Sequence, residues 1–231
     1  MAVAFNNKNT DVQASNASSF SSSMTANAGA NLMARVDIAI GKDTGAPGIS
    51  GNVTYGGNVM TAAGTAIVDS TTKALAAIYT LTAPPTGANT LAFSISNGPA
   101  TTIYADLITY TGVSQGTPVR AGSYNSLDQS GSASSISLTI TSQAGDMTCT
   151  CGSVGGGNQN LGSGTNKTVR NNDTGGATCI GTDDAAGAAS VTHTWTMSGS
   201  DTGSIICGFS ISGSTGYGQV GLDAAIVRAR P

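Results

Sequence analysis

The sequence predicts an all-β protein, a two-sheet antiparallel β-sandwich with an arm at each terminus. Three observations carry this. Apolar residues recur with a period of two through much of the chain, as strands with one buried face require. Turn formers punctuate these runs at short intervals, with 32 glycines and 6 prolines in 231 residues. No stretch shows the 3.6-residue period of a long amphipathic helix, and the one short candidate is 222–228, where Leu222 and Ile226 fall four apart.

Residues 1–30 lack strong periodicity and read as an N-terminal arm, with an edge strand at 1–5 and a short strand near 19–24. From Leu32 the alternation is strict. Leu32, Ala34, Val36, Ile38 and Ile40 share one face; Met33, Arg35, Asp37 and Ala39 share the other. Residues 53–60 read as a hairpin, Gly56-Gly57 supplying positive φ at its turn. The pattern centres on 74–96. Leu75, Ala77, Tyr79 and Leu81 share a parity before Ala83-Pro84-Pro85-Thr86-Gly87, and Leu91, Phe93 and Ile95 share one after it. Proline lacks the N–H that a sheet interior needs, so this is a stiff corner between two strands.

Further strands are predicted at 101–111, 136–140, 146–151, 167–171, 177–182, 191–197 and 205–211. A connection over 112–127 and a low-complexity loop over 152–164 separate them. No linker-like break interrupts the series, which gives one sandwich domain at 31–213, the arm at 1–30 and a C-terminal extension at 214–231. The expected core includes Val36, Ile38, Leu75, Tyr79, Leu91, Phe93, Trp195 and Phe209.

Charged residues make up only 9%, roughly a third of the usual share, and the formal net charge is −3. The nine basic residues are scattered, which argues against nucleic acid as a partner. No run approaches the ~18 apolar residues of a membrane span. The N-terminus lacks the basic start and apolar core of a secretory signal, so a protein made in a cytoplasm, or one supplied already processed, is expected. So uncharged a surface suits a protein packed against copies of itself or a scaffold.

The residues assign no catalytic group, cofactor or metal ligand. Cys149 and Cys151 are separated by one residue within an apparent strand, not paired as C-x₂₋₄-C, and with Cys179 and Cys207 they read as buried free thiols. A disulfide and a metal site are the alternatives. The only histidine, His193, shares parity with Val191, Trp195 and Met197, which places it in or beside the core with its ring nitrogens bonded locally. Asp173, Asp183, Asp184 and Asp201 fall in predicted loops and read as solvated carboxylates. The aromatic residues read mainly as packing groups, with a sugar-stacking platform on one sheet face as the alternative. Tyr124 and Tyr217, in predicted loops, together with Leu222, Ile226 and Val227, are the residues expected to contact partners.

Five segments carry a family resemblance: VTYGGNVMTAAG (53–64), AIYTLTAPPTGANTLAFSIS (77–96), ITYTGVSQGTPVRA (108–121), SLTITSQAGDM (137–147) and SVTHTWTMSGSDTGSIICGFSI (190–211). Together, and in this order, they resemble a jelly-roll-like β-sandwich domain of phage virion decoration and tail proteins and of bacterial surface proteins. The A-P-P-T-G corner and the T-G-V-x-Q-x-T-P turn are the most specific parts. The resemblance implies attachment, decoration or display, with no catalytic motif to transfer. The expectation is a virion structural protein assembled in the host cytoplasm: a decoration or cement protein that binds the capsid exterior. Its partners would be the major capsid protein or another virion protein, and further copies of itself, a trimer being one option. The alternative is a carbohydrate- or receptor-binding module of a phage tail or surface protein, with a glycan as ligand.

Overall fold

A computed structural model describes residues 1–69, 74–155, 161–175 and 178–214. Among them every helix or strand element is a strand, and the strands form three stacked antiparallel sheets. The expected all-β sandwich holds, but with a layer added, because one sheet is covered on both faces.

That central sheet has the order β1 (Ala4–Ala17), β10 (Ala100–Thr111), β3 (Met33–Gly41), β8 (Ala74–Thr82) and β6 (Thr61–Ala62), with β7 (Ile67–Asp69) also on β8. A four-stranded sheet covers one face: β2 (Ser19–Ala26), β9 (Gly87–Ser96), β4 (Gly48–Tyr55) and β5 (Asn58–Val59). The other face meets a third sheet in the order β11 (Asn125–Thr141), β16 (Ser190–Ile211), β12 (Met147–Gly155), β15 (Thr178–Ala186) and β14 (Thr168–Gly175), with β13 (Leu161–Ser163) on β16.

The proline corner does what its chemistry predicts. The chain leaves the central sheet after Thr82, turns at Ala83 (φ 46°) and Gly87 (φ 82°), and enters the four-stranded sheet as β9. Gly56 and Gly57, both at positive φ, close the β4–β5 hairpin.

Residues 1–30 are more than an arm. β1 and β2 are edge strands of two different sheets, and Phe20, Met24 and Ala26 are buried. The periodicity is weak there because amides replace apolar contacts between the two strands. Asn7 Nδ2 and Asn9 Nδ2 donate to Thr25 O at 3.0 and 2.6 Å, and Thr25 N donates to Asn9 Oδ1. The predicted loop at 152–164 also contains strand, since β12 runs to Gly155 and β13 begins at Leu161.

β11 and β16 pair as one long ribbon whose register breaks between Ser130 and Ser135. The Ile205–Ile211 part of β16 pairs with β12 inside the third sheet. The other half of the ribbon lays Ile136, Leu138, Trp195 and Met197 over Val154, Cys179 and Ile206 on the outer face of that sheet. Gly181 makes this close approach feasible: a Cβ there would sit 3.0 Å from the Trp195 ring and 2.8 Å from Leu161.

Three apolar cores result. Val36, Ile38, Leu75, Leu91 and Phe93 lie in the first, Phe209 in the second and Trp195 in the third; of the expected core residues only Tyr79 is half-buried. All nine residues of β3 are buried, so the face carrying Arg35 and Asp37 meets another sheet, not solvent.

Candidate functional site: a buried polar seam

Between the central and third sheets the apolar packing opens around a set of charged groups. Strand parity delivers them from both sides. Arg35 and Asp37 sit two apart on β3, and Asp106 and Tyr110 share the facing parity of β10. From the third sheet come Arg170 and Asn171 on β14 and Thr182 and Asp184 on β15.

Arg35 is fully buried and organises the seam. Its guanidinium forms a two-pronged ion pair with Asp37, through Nε at 2.7 Å and through Nη2. Nη2 also donates to Thr150 O at 2.7 Å, and Nη1 donates to Tyr110 Oη at 3.1 Å and to Asp183 O at 3.4 Å. Tyr110 passes the chain on, its hydroxyl donating to Asp184 Oδ2 at 3.1 Å. Arg170 closes it from the rim with bonds of 2.6 and 3.0 Å to Asp184, and its guanidinium lies 3.7 Å over the Phe5 ring. Planar, forked donors suit this role, since one guanidinium can satisfy a carboxylate and backbone carbonyls together.

Burial pushes the Asp37 carboxyl up to about 6, against the opposing pull of Arg35. It pushes Asp106 further, to about 8, and the neighbouring charge of Asp37 adds to the effect. Tyr110 is raised well above its ordinary range by the same burial.

Adjacent residues on a strand face opposite ways, so Asp183 points through the third sheet to its outer side. There His193 Nδ1 lies 2.8 Å from Asp183 Oδ1, and His193 Nε2 lies 2.9 Å from Thr148 Oγ1. The connectivity is that of a hydroxyl–imidazole–carboxylate triad. Its proton arrangement is not. Thr148 Oγ1 donates its one proton to Ala185 O at 3.1 Å, so Nε2–H must donate to Thr148. A nucleophile's base needs Nε2 bare to take the hydroxyl proton. Asp183 is further fixed by Thr150 Oγ1–H, whose oxygen accepts Trp195 Nε1–H at 3.1 Å. Thr148, Asp183 and His193 are all fully buried. The arrangement therefore aims Nε2–H at Thr148 and braces β12, β15 and β16; it does not present a nucleophile.

The expectation that His193 lies in the core with both nitrogens bonded is met. The expectation of solvated loop carboxylates at Asp183 and Asp184 is overturned: both are buried in β15. The stretch TCIGTDDAA carries no apolar alternation because both faces of β15 are covered and hydrogen bonds take the place of apolar contacts. Asp173 lies in β14 and Asp201 in β16, so neither is in a loop. The four cysteines are buried, and none is in a disulfide. Among the described residues, no group of three or more His, Cys, Asp or Glu is placed to hold a metal ion.

Tyr124 is half-buried. Its ring covers Gly64, where a Cβ would lie 2.4 Å away, and its hydroxyl donates to Thr65 O. Tyr217, Leu222, Ile226, Val227 and the 222–228 helix candidate lie outside the described residues. Tyr55, Tyr104, Tyr110 and Trp195 are buried, so they form no exposed stacking platform.

On the surface, a groove of about 400 Å³ lies along the β6 edge of the central sheet. Thr61, Thr80, Thr82, Gln115 and Thr117 line it with hydroxyl and amide groups over Leu81 and Val119. No family model, no curated protein and no solved structure matches this chain.

Proposed function

We propose that this protein is a virion structural protein, a decoration or cement protein that binds the outside of a phage capsid. The observation that supports this best is the distribution of charge. Eight charged side chains, Arg35, Asp37, Lys42, Asp69, Asp106, Asp146, Asp183 and Asp184, are buried, while Lys8, Asp43 and Asp128 are the exposed ones among the described residues. What faces outward is mostly Ser, Thr, Asn and Gly. An uncharged surface neither repels its own copies nor needs costly desolvation of ions when it is covered, so it suits dense packing on a lattice. Many copies of a modest contact then add up through avidity. The resemblance of 53–64, 77–96, 108–121, 137–147 and 190–211 to phage decoration and tail domains points the same way.

A labelled copy should decorate stripped or expanded capsids with regular spacing in particle images, and a chain lacking residues 215–231 should fold but bind them poorly. Failure to bind any such particle, with selective binding on a glycan array instead, would replace this reading with a carbohydrate-binding one. The hydroxyl-lined groove at Thr61, Thr80 and Thr117 is the observation that favours that second reading.

A further inference from the structure

We propose that Asp106 is a proton-operated latch between the central and third sheets: with its carboxyl protonated the sheets are locked, and loss of that proton in mildly alkaline solution loosens them. Asp106 on β10 lies directly opposite Asp37 on β3, so two carboxylates are cross-strand neighbours in a closed layer. Like charges in that position destabilise a sheet when both ionise.

The pair is not symmetric. Asp37 holds the two-pronged contact with Arg35, whereas the donors to Asp106 are neutral: Asn171 Nδ2 at 3.0 Å and Thr182 Oγ1 at 3.4 Å. The charged groups acting on Asp106 are Asp37 and Arg35 on β3, and Tyr110 on β10, Arg170 on β14 and Asp184 on β15 complete the seam. Arg35 is engaged by Asp37 and Arg170 by Asp184, so each guanidinium already serves another carboxylate. The inner seam thus sets three carboxylates, Asp37, Asp106 and Asp184, against two arginines. A buried carboxyl without a cation of its own is the one that keeps its proton.

The bonds that Asp106 accepts need no proton on it and favour its ionised form, so the latch works through charge: the proton keeps a second buried carboxylate from facing Asp37. Asn171 and Thr182 belong to β14 and β15, so Asp106 ties the central sheet to two strands of the third. β14 is that sheet's edge, and its register with β15 shifts between Val169 and Asn171. An added negative charge here strikes the joint where pairing is already interrupted.

In the unfolded chain Asp106 ionises near its ordinary value of 3.8, and in the folded protein near 8. Between those limits the folded state holds a proton that the unfolded state releases, so stability falls as pH rises through this range and levels off above it.

Denaturant unfolding of the full chain across pH 6 to 9, with segment-resolved hydrogen exchange, tests the latch. The folding constant of the wild type should fall by up to about tenfold per pH unit toward pH 8, the one-proton limit. Asp106→Asn should flatten that fall. Exchange at the alkaline end, corrected for intrinsic rate, should rise first in β14 and β15 and not in β2 and β9. An unchanged slope in the variant, a flat wild type, or equal opening of all the sheets would overturn the proposal. If Asp106→Asn does not fold, the carboxyl carbon resonance of Asp106 in the wild type decides instead: titration near pH 8 supports the latch, and a carboxylate already ionised at pH 6 refutes it.

Discussion

Toward the four-stranded sheet, the central sheet packs Val36, Ile38, Leu75, Ile103 and Leu107 against Phe20, Met24, Leu91 and Phe93, with the Phe20 and Phe93 rings stacked 5.0 Å apart. Toward the third sheet, the same β3 and β10 present Arg35, Asp37, Asp106 and Tyr110, ringed by Met33, Ile108, Cys149, Cys207 and Phe209. One layer is held by shape and exclusion of water. In the other, every polar group must find its partner, because a buried charge left alone costs far more than a lost apolar contact. The first layer should tolerate small changes gradually and ignore pH. The second should fail abruptly when one partner is removed.

The largest effect is expected from Arg35→Ala, which strands Asp37 and removes donors from Thr150 O, Asp183 O and Tyr110. Denaturant unfolding should show a loss of about 5 kcal/mol, the upper end for breaking a buried pair. Replacing both Arg35 and Asp37 by apolar residues of similar size should cost less than Arg35→Ala alone. If the double variant is the worse of the two, the seam is more than a set of mutually satisfied charges.

Phe93→Ala in the dry layer should lose about 3–4 kcal/mol by cavity formation, and the loss should be the same at pH 6 and pH 8.5. A marked pH dependence would erase the distinction between the layers. His193→Ala comes next, at about 2–3 kcal/mol, since it leaves Asp183 and Thr148 without their imidazole in a closed space. Thermal melts of this variant beside Thr148→Val would show whether the carboxylate or the hydroxyl suffers more; the carboxylate should. Arg170→Ala should have the smallest effect, about 1 kcal/mol, because this arginine sits at the rim with 16% of its side chain in water. A loss as large as that of Arg35 would mean that the seam is closed from the edge, not from the centre.

The four thiols give a separate check on closure. Cys149 and Cys151 are raised, the first mainly by burial and the second by a thiol hydrogen bond with Cys207 and by burial, so a thiol reagent should react only as fast as the protein unfolds. Faster labelling of Cys149 or Cys151 than of Cys179 at alkaline pH would show the seam opening before the outer core.

Much of this architecture is written in the chain. The alternation from Leu32 to Ile40, the proline corner at 83–87 and the Gly56-Gly57 hairpin are local effects: side-chain parity, a missing N–H and permitted positive φ act within a few residues. The same parity placed His193 and Trp195 inward and the cysteines in the core. What tertiary structure alone decided was which sheet each face would meet. Arg35 and Asp37 have the pattern of a solvated face, and Asp183-Asp184 that of a turn, because a sequence read locally assigns charge to water. The burial of Arg35 and Asp37 depends on β12 and β15 arriving from more than a hundred residues away with the carbonyls of Thr150 and Asp183, and that of Asp184 on Tyr110 from β10 and Arg170 from β14. Hydrogen bonding between distant strands has no period along the chain, so the polar seam, unlike the apolar cores, leaves no repeating mark in the sequence.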